Sequence, residues 1–212
     1  MSMQLQNYQL CRHQQPLFKA FSLTVAAGEI GAITGISGSG KSTLLADISG
    51  ILTSAFKSSG EILLNGNSLR TVPIERRQVG ILFQDDLLFP HLNVFENLLF
   101  GLPAHFSRGE KAARIQDALS ESGLGSYALR DIATLSGGQR ARISLLRTLL
   151  SEPKLMLLDE PFSKLDRALR GQFRAWVFEQ LGHQHIPVVL VTHDPEDIPD
   201  GSRIVDLEAP DA

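Results

Sequence analysis

Polar and apolar residues alternate at the start of the chain. QLQNYQL and then FKAFSLTV read as short strands. GEIGAITG is an apolar strand running into a glycine-rich turn, and KSTLLADISG after it reads as a helix closed by Gly50. GEILLNGNSL has the form of a hairpin and VGILF that of a buried strand. From about residue 86 to 150 the pattern becomes mostly helical. SRGEKAARIQDALSESG offers Ser107 and Glu110 as a capping box, Ile115 and Leu119 on one face, and Gly123 as a stop. KLMLLDE and IPVVLVTHD are short, nearly all-apolar runs, which suit a parallel sheet buried on both faces. Between them, DRALRGQFRAWVFEQLG puts Leu169, Phe173, Trp176, Val177 and Leu181 on one helical face, where the aromatics read as core packing. Strands alternating with helices predict an α/β core, with the helical stretch as an inserted subdomain.

Composition adds mostly exclusions. The chain has 212 residues, enough for one substantial domain, with 43% hydrophobic and 20% charged residues. A formal charge of −3 gives no basic face for nucleic acid or an anionic membrane. Cys11 is the single cysteine, so no intrachain disulfide forms, which fits a reducing setting. No apolar run approaches the roughly 20 residues of a spanning helix, and the N-terminus has no secretory pattern. Any service to a membrane is expected to go through a partner.

The first candidate chemistry is Gly35-Ile36-Ser37-Gly38-Ser39-Gly40-Lys41-Ser42, which matches G-x-x-x-x-G-K-[ST] between a predicted strand and a predicted helix. The glycines let backbone N–H groups wrap a phosphate, and the helix adds its positive end. Lys41 can reach the outer phosphates, and the Ser42 hydroxyl can ligate Mg²⁺. A chance match in a chain this long is on the order of one in a hundred.

The second is LMLLDE. It puts Asp159 and Glu160 just past a buried strand, where open α/β sheets bind ligands. Asp159 suits Mg²⁺ binding through water, and Glu160 suits orienting or deprotonating a water that attacks the γ-phosphate. His193 closes the next apolar strand and is expected at the same sheet edge. The third is LSGGQ, Leu135 to Gln139. Ser136 and Gln139 fit a capping box for the helix RARISLLRTLL. Capping leaves Gly137 and Gly138 unexplained, because each costs about 1 kcal/mol of helix stability unless backbone must come close to something.

With GISGSGKST, Gln84 in ILFQDD, LSGGQ, LMLLDEP, SKLD and VTHD in this order and spacing, nearly the whole chain resembles the ATP-binding cassette (ABC) ATPases. The resemblance implies a P-loop NTPase (RecA-like) core with an N-terminal antiparallel β part and an inserted helical subdomain. The core is expected at 1–85 and 151–212, and the helical signature subdomain at 86–150. It also implies an ATP-dependent homodimer in which each LSGGQ closes over the ATP held by the other chain's phosphate loop. On that reading Lys41, Ser42 and Thr43 hold phosphate and Mg²⁺, Gln84 senses metal and γ-phosphate, Glu160 is the base, and His193 the switch. Asp166 lies in a loop crossing the dimer interface.

LLFPHLNVFENLLFGL resembles single-cassette subunits of bacterial importers, where this region faces the permease. The implied protein energises small-solute uptake, of a thiamine-like type, from the cytoplasmic face of the inner membrane. Its implied partners are integral-membrane permease subunits and, indirectly, a solute-binding protein, with no fused membrane or regulatory domain. Three positions depart from the family pattern. Arg12, near Tyr8, His13 and Phe18, stands where an aromatic usually stacks on adenine. Lys164 stands where a small residue is usual, and Leu146, read as packing, where a smaller one is common.

A chromosome-maintenance ATPase is disfavoured, because only about ninety residues and no heptad run separate the phosphate loop from LSGGQ. A translation factor normally has two cassettes in one chain, and a simple P-loop kinase would leave LSGGQ without a task. A mechanically acting cassette of the cell-division or lipoprotein-release type is the alternative that remains.

Overall fold

The computed structural model describes residues 1–208, and of Arg167 and Ala168 the backbone alone. The chain forms two compact units. The first comprises Met1–Ile81, Lys154–Glu160 and the residues from Phe178 onward, and the second Leu82–Pro153 and Pro161–Val177. The helical unit therefore takes in residues 161–177 as well as the 86–150 stretch.

In the first unit, β1 (Ser2–Arg12) lies between β3 (Phe21–Ala26) and β5 (Phe56–Leu64), all antiparallel, with the short β2 (Gln15–Pro16) and β6 (Asn67–Ser68) beside them. Met3 and Leu5 of β1 face inward, but the register then shifts at a bulge around Gln6 and Asn7. The extra residue moves the buried set to Tyr8 and Leu10. The bulge also requires glycine opposite it. Gly60 has φ +80°, and a Cβ there would meet Asn7 O at 2.3 Å.

The second sheet has the order β10 (Arg203–Asp206), β4 (Ile30–Thr34), β9 (Val188–Val191), β8 (Leu155–Asp159) and β7 (Val79–Leu82). The first four run parallel. All of β9, and β8 up to Leu158, are buried, as their unbroken apolar runs predict. No strand is expected from the sequence at Arg203–Asp206. Ile204 is 60% exposed and the strand ends on charged residues, so this edge strand carries no hydrophobic period to read.

Met3, Leu5, Leu44, Ile48, Leu157 and Val189 belong to one core cluster. It joins the antiparallel sheet, the helix α1 (Lys41–Ser49) and the parallel sheet. A polar network anchors α1. The Tyr8 hydroxyl donates to Asp47 Oδ2 at 2.9 Å, and Arg70 pairs with the same oxygen at 3.3 Å. Arg77 donates to the carbonyls of Asp47 and Ile48, both at 2.8 Å, and so satisfies the C-terminal end of the helix.

The second unit contains α2 (Val94–Leu99), α3 (Arg108–Glu121), α4 (Gly137–Leu149) and the part of α5 (Arg167–Gln184) up to Val177. Capping boxes open α2 at Asn93, α3 at Ser107 and α4 at Ser136. Val94, Leu98, Ile115, Leu119, Ile143 and Leu146 pack in its core, so Leu146 is a packing residue as expected. On α5, Phe173, Val177 and Leu181 are buried, but Leu169 is 43% exposed. The apolar face read from the sequence thus starts one turn late.

Candidate functional site

The chain leaves β4 at Thr34 and re-enters regular structure at Lys41. The six residues between form the loop. Gly40 has φ +99°, and a Cβ there would stand 3.0 Å from Leu17 Cδ1, so the loop can pass into α1 here only as glycine. Gly40 offers α1 no side-chain cap, which leaves the helix's first N–H groups directed at the loop. Ser39 Oγ is buried with no hydrogen-bond partner among the described residues. Lys41 is 5% exposed, and its ammonium donates to the carbonyls of Gly35 at 2.8 Å and Ile36 at 3.0 Å.

Asp159 ends β8, and the Ser42 hydroxyl donates to its Oδ1 at 2.8 Å. Burial pushes the Asp159 carboxyl above its ordinary range and Glu160 pushes the same way, while the Ser42 hydrogen bond and Lys41 oppose them. A desolvated carboxylate beside a hydroxyl is a pair of hard oxygen donors, which fits Mg²⁺.

Glu160 has φ 44°, the left-handed region that a non-glycine residue enters at a cost. Its N–H donates to Val191 O at 3.0 Å, which ties it to the end of β9, two residues before His193. One carboxylate oxygen lies 3.1 Å from His193 Nδ1 and the other 3.9 Å from Lys41 Nζ. A carboxylate oxygen accepts, so in this contact Nδ1 is the donor. Thr192, 1% exposed, bonds Asp197 Oδ2 at 3.1 Å and accepts from Asp194 N at 3.0 Å, which fixes the turn that carries His193. Gly35 to Thr43, Asp159, Glu160 and His193 all belong to the first unit, and the last two touch.

Arg12 ends β1 with its guanidinium carbon 5.9 Å from the centre of the Phe56 ring. Tyr8 and Phe18 are fully buried, so neither can present a face to a base. Leu17, in contact range of Gly40, is a loop neighbour that sequence reasoning did not single out.

The other predicted residues belong to the second unit. Leu135 is buried in its core, and Ser136 caps α4 by accepting from Gln139 N at 3.3 Å. Gln139 accepts from Ser136 N at 2.9 Å and donates to the Tyr127 hydroxyl at 3.2 Å. These bonds fix the loop and leave the glycines outward. A Cβ on Gly138 would meet nothing within 4 Å, and one on Gly137 only Arg140 Nη2 at 4.0 Å. Nothing among the described residues requires glycine at either position. Gln84 is exposed two residues beyond β7 and lines a cavity of about 280 Å³ together with Asp85, Gly137, Arg140, Lys164 and Leu165. Asp166 accepts from Leu169 N at 3.0 Å at the start of α5. The ion pairs Asp85 with Lys164 and Asp86 with Arg140, all four lining this cavity, escaped the sequence reading. No short-range pattern marks pairs so distant in sequence.

The ABC transporter family profile matches residues 18–163. Over 203 residues the chain is 46% identical to the uncharacterized ABC transporter ATP-binding protein YnjD of Escherichia coli (strain K12), covering 96% of this chain and 94% of that protein. It is 39% identical over 216 residues to the sulfate/thiosulfate import ATP-binding protein CysA of Methylococcus capsulatus, covering 99% of this chain and 61% of that protein. Its identity to the putrescine transport ATP-binding protein PotG of Escherichia coli (strain K12) is 41% over 177 residues, 83% of this chain and 46% of that protein. The chain thus spans about half to two thirds of the CysA and PotG relatives it matches. The matched span includes the phosphate loop, Gln84, LSGGQ, Asp159 and Glu160, and so joins in one family what the geometry keeps in two units: the chain is an ATP-binding ATPase of the ABC transporter family.

Proposed function

We propose that this chain energises solute uptake, two copies enclosing two ATP molecules so that each phosphate loop is completed by the other copy's LSGGQ. The observation that carries this reading is the pair Gly137 and Gly138. They open a well-capped helix, a Cβ on either would come no closer than 4.0 Å to any of the described residues, and their N–H groups stand in its first turn, where a phosphate from outside would meet them. Lys41 would exchange its bonds to the Gly35 and Ile36 carbonyls for phosphate oxygens. Ser42 would bind Mg²⁺ directly and Asp159 through water, with Thr43 and the loop N–H groups on phosphate and Gln84 responding to metal and γ-phosphate. The bound ion would offset charge on the phosphates. Glu160, oriented by His193, would take the proton of the attacking water. Arg12 would offer its guanidinium plane to the adenine ring, and Asp166 would face the second copy.

Similarity to CysA and PotG supports uptake over a mechanical role, together with integral-membrane permease subunits and, through them, a solute-binding protein. No helix of the described residues is long and apolar enough to cross a membrane; on this reading the chain would sit peripherally against such subunits at the cytoplasmic face. Lys41→Ala should abolish Mg²⁺-dependent ATP hydrolysis, and unchanged turnover would refute the phosphate-loop assignment. Turnover of the isolated membrane complex should rise when its solute-binding protein is added. Indifference to any such protein would favour the mechanical alternative.

A further inference from the structure

Asp85 and Asp86, directly after Gln84, are each paired with a cation from a different segment. Arg140 of α4 lies 2.9 Å from Asp86 and also donates to Leu135 O at 2.8 Å, just before the LSGGQ serine. Arg147, further along α4, donates to Leu87 O at 3.0 Å. The segment 84–87 is therefore held twice to the signature helix. Lys164, which also lines the 280 Å³ cavity, pairs with Asp85 and lies two residues before Asp166. The Asp86 tie is half-buried, but Lys164 and Asp85 are 52% and 66% exposed. An exposed pair is weak and screened by salt, so it can open and close where the α4 ties hold.

We propose that Lys164 is a positioning residue. Its reversible ion pair with Asp85 couples the placement of Gln84 to that of Asp166 and the start of α5. The inference rests on the proposed roles of Gln84 at the nucleotide and Asp166 toward the second copy. Opening the pair removes this link between the Asp85 and Asp166 segments while the Gln84 segment stays held to α4. Closing it passes any displacement of Gln84 to the segment expected to face the other chain.

The test compares Lys164→Ala, Asp85→Ala and the exchanged pair Lys164→Asp with Asp85→Lys. Amide hydrogen exchange on the nucleotide-free chain needs no activity. In Asp85→Ala, exchange should rise roughly two- to fivefold over residues 161–169, although these lie 76 or more positions away in sequence. Lys164→Ala should loosen the same amides, the exchanged pair should restore them, and high salt should loosen them in the unaltered chain. The ATP concentration for half-maximal turnover should shift by a similar factor in both single variants and return in the exchanged pair. Loosening confined to each variant's own segment, or no restoration by the exchange, overturns the proposal. If the exchange pattern holds while Lys41→Ala still hydrolyses ATP, the functional reading fails and the coupling stands.

Discussion

Replacing Gly138 by alanine adds one methyl at the second residue of α4. In the chain alone that methyl meets nothing within 4 Å, and Gly138 does not use the positive-φ backbone reserved for glycine. Alanine is favoured over glycine in a helix by up to about 1 kcal/mol, and by less in a first turn. The nucleotide-free protein should therefore melt higher, by no more than about 2–4 °C for a chain of this size. Catalysis should move the other way. Cα–Cβ bonds tilt toward a helix's N-terminus, so the methyl stands in front of the N–H groups proposed to meet the second copy's phosphate. Loss of one hydrogen bond to a charged group costs about 1.5–3 kcal/mol, roughly ten- to a hundredfold. Thermal melts without nucleotide and Mg²⁺-ATP turnover, measured on the same preparation, separate the two effects. A variant that melts higher and turns over normally would show LSGGQ to be a helix cap and nothing more.

Glu160→Gln keeps an oxygen that can accept from His193 Nδ1 but cannot take a proton, so hydrolysis should stall while ATP holds a dimer together. Size-exclusion chromatography at saturating ATP checks this, and a strictly monomeric variant would count against it. Asp159→Asn should stabilise the nucleotide-free chain at neutral pH while removing Mg²⁺-dependent turnover. Burial holds the Asp159 carboxyl above its unfolded value, so its favourable contribution exists below the ordinary carboxylate range and is lost as pH rises through the raised value. Melting curves from pH 4 to 8 should show the variant's advantage growing with pH; a constant difference would contradict this origin. Leu146→Ala should cost about 2–5 kcal/mol by denaturant titration, because the side chain is buried in the helical unit's core. A near-zero cost would remove it from that core.

What could be read from the sequence was local. GISGSGKS states its strand, turn and helix within a few residues, and the Ser107 and Ser136 capping boxes span four residues each, so pattern alone suffices. Pairings over long separations could not be read. The bulge at Gln6 and Asn7 makes sense only with Gly60 opposite, and Lys164 finds Asp85 across 79 positions. Burial decided other cases. Tyr8 and Phe18 lie near Arg12 in sequence yet sit in the core, Leu169 falls outside the buried face of α5, and β10 is too exposed to carry a hydrophobic period.

Mixing two inactive variants tests most directly the claim that each ATP site is built from two chains. Lys41→Ala removes the ammonium on the phosphate loop. Gly138→Asp puts a carboxylate where the other copy's γ-phosphate is proposed to lie, at a cost of several kcal/mol by like-charge repulsion. Each homodimer then has two defective sites, whereas a mixed dimer has one intact site and one that carries both defects. ATP-dependent association of differently tagged chains should be absent for either variant alone and return on mixing, with at least part of the hydrolysis. Gly138→Asp protein that dimerises and hydrolyses ATP by itself like the unaltered chain would contradict the account.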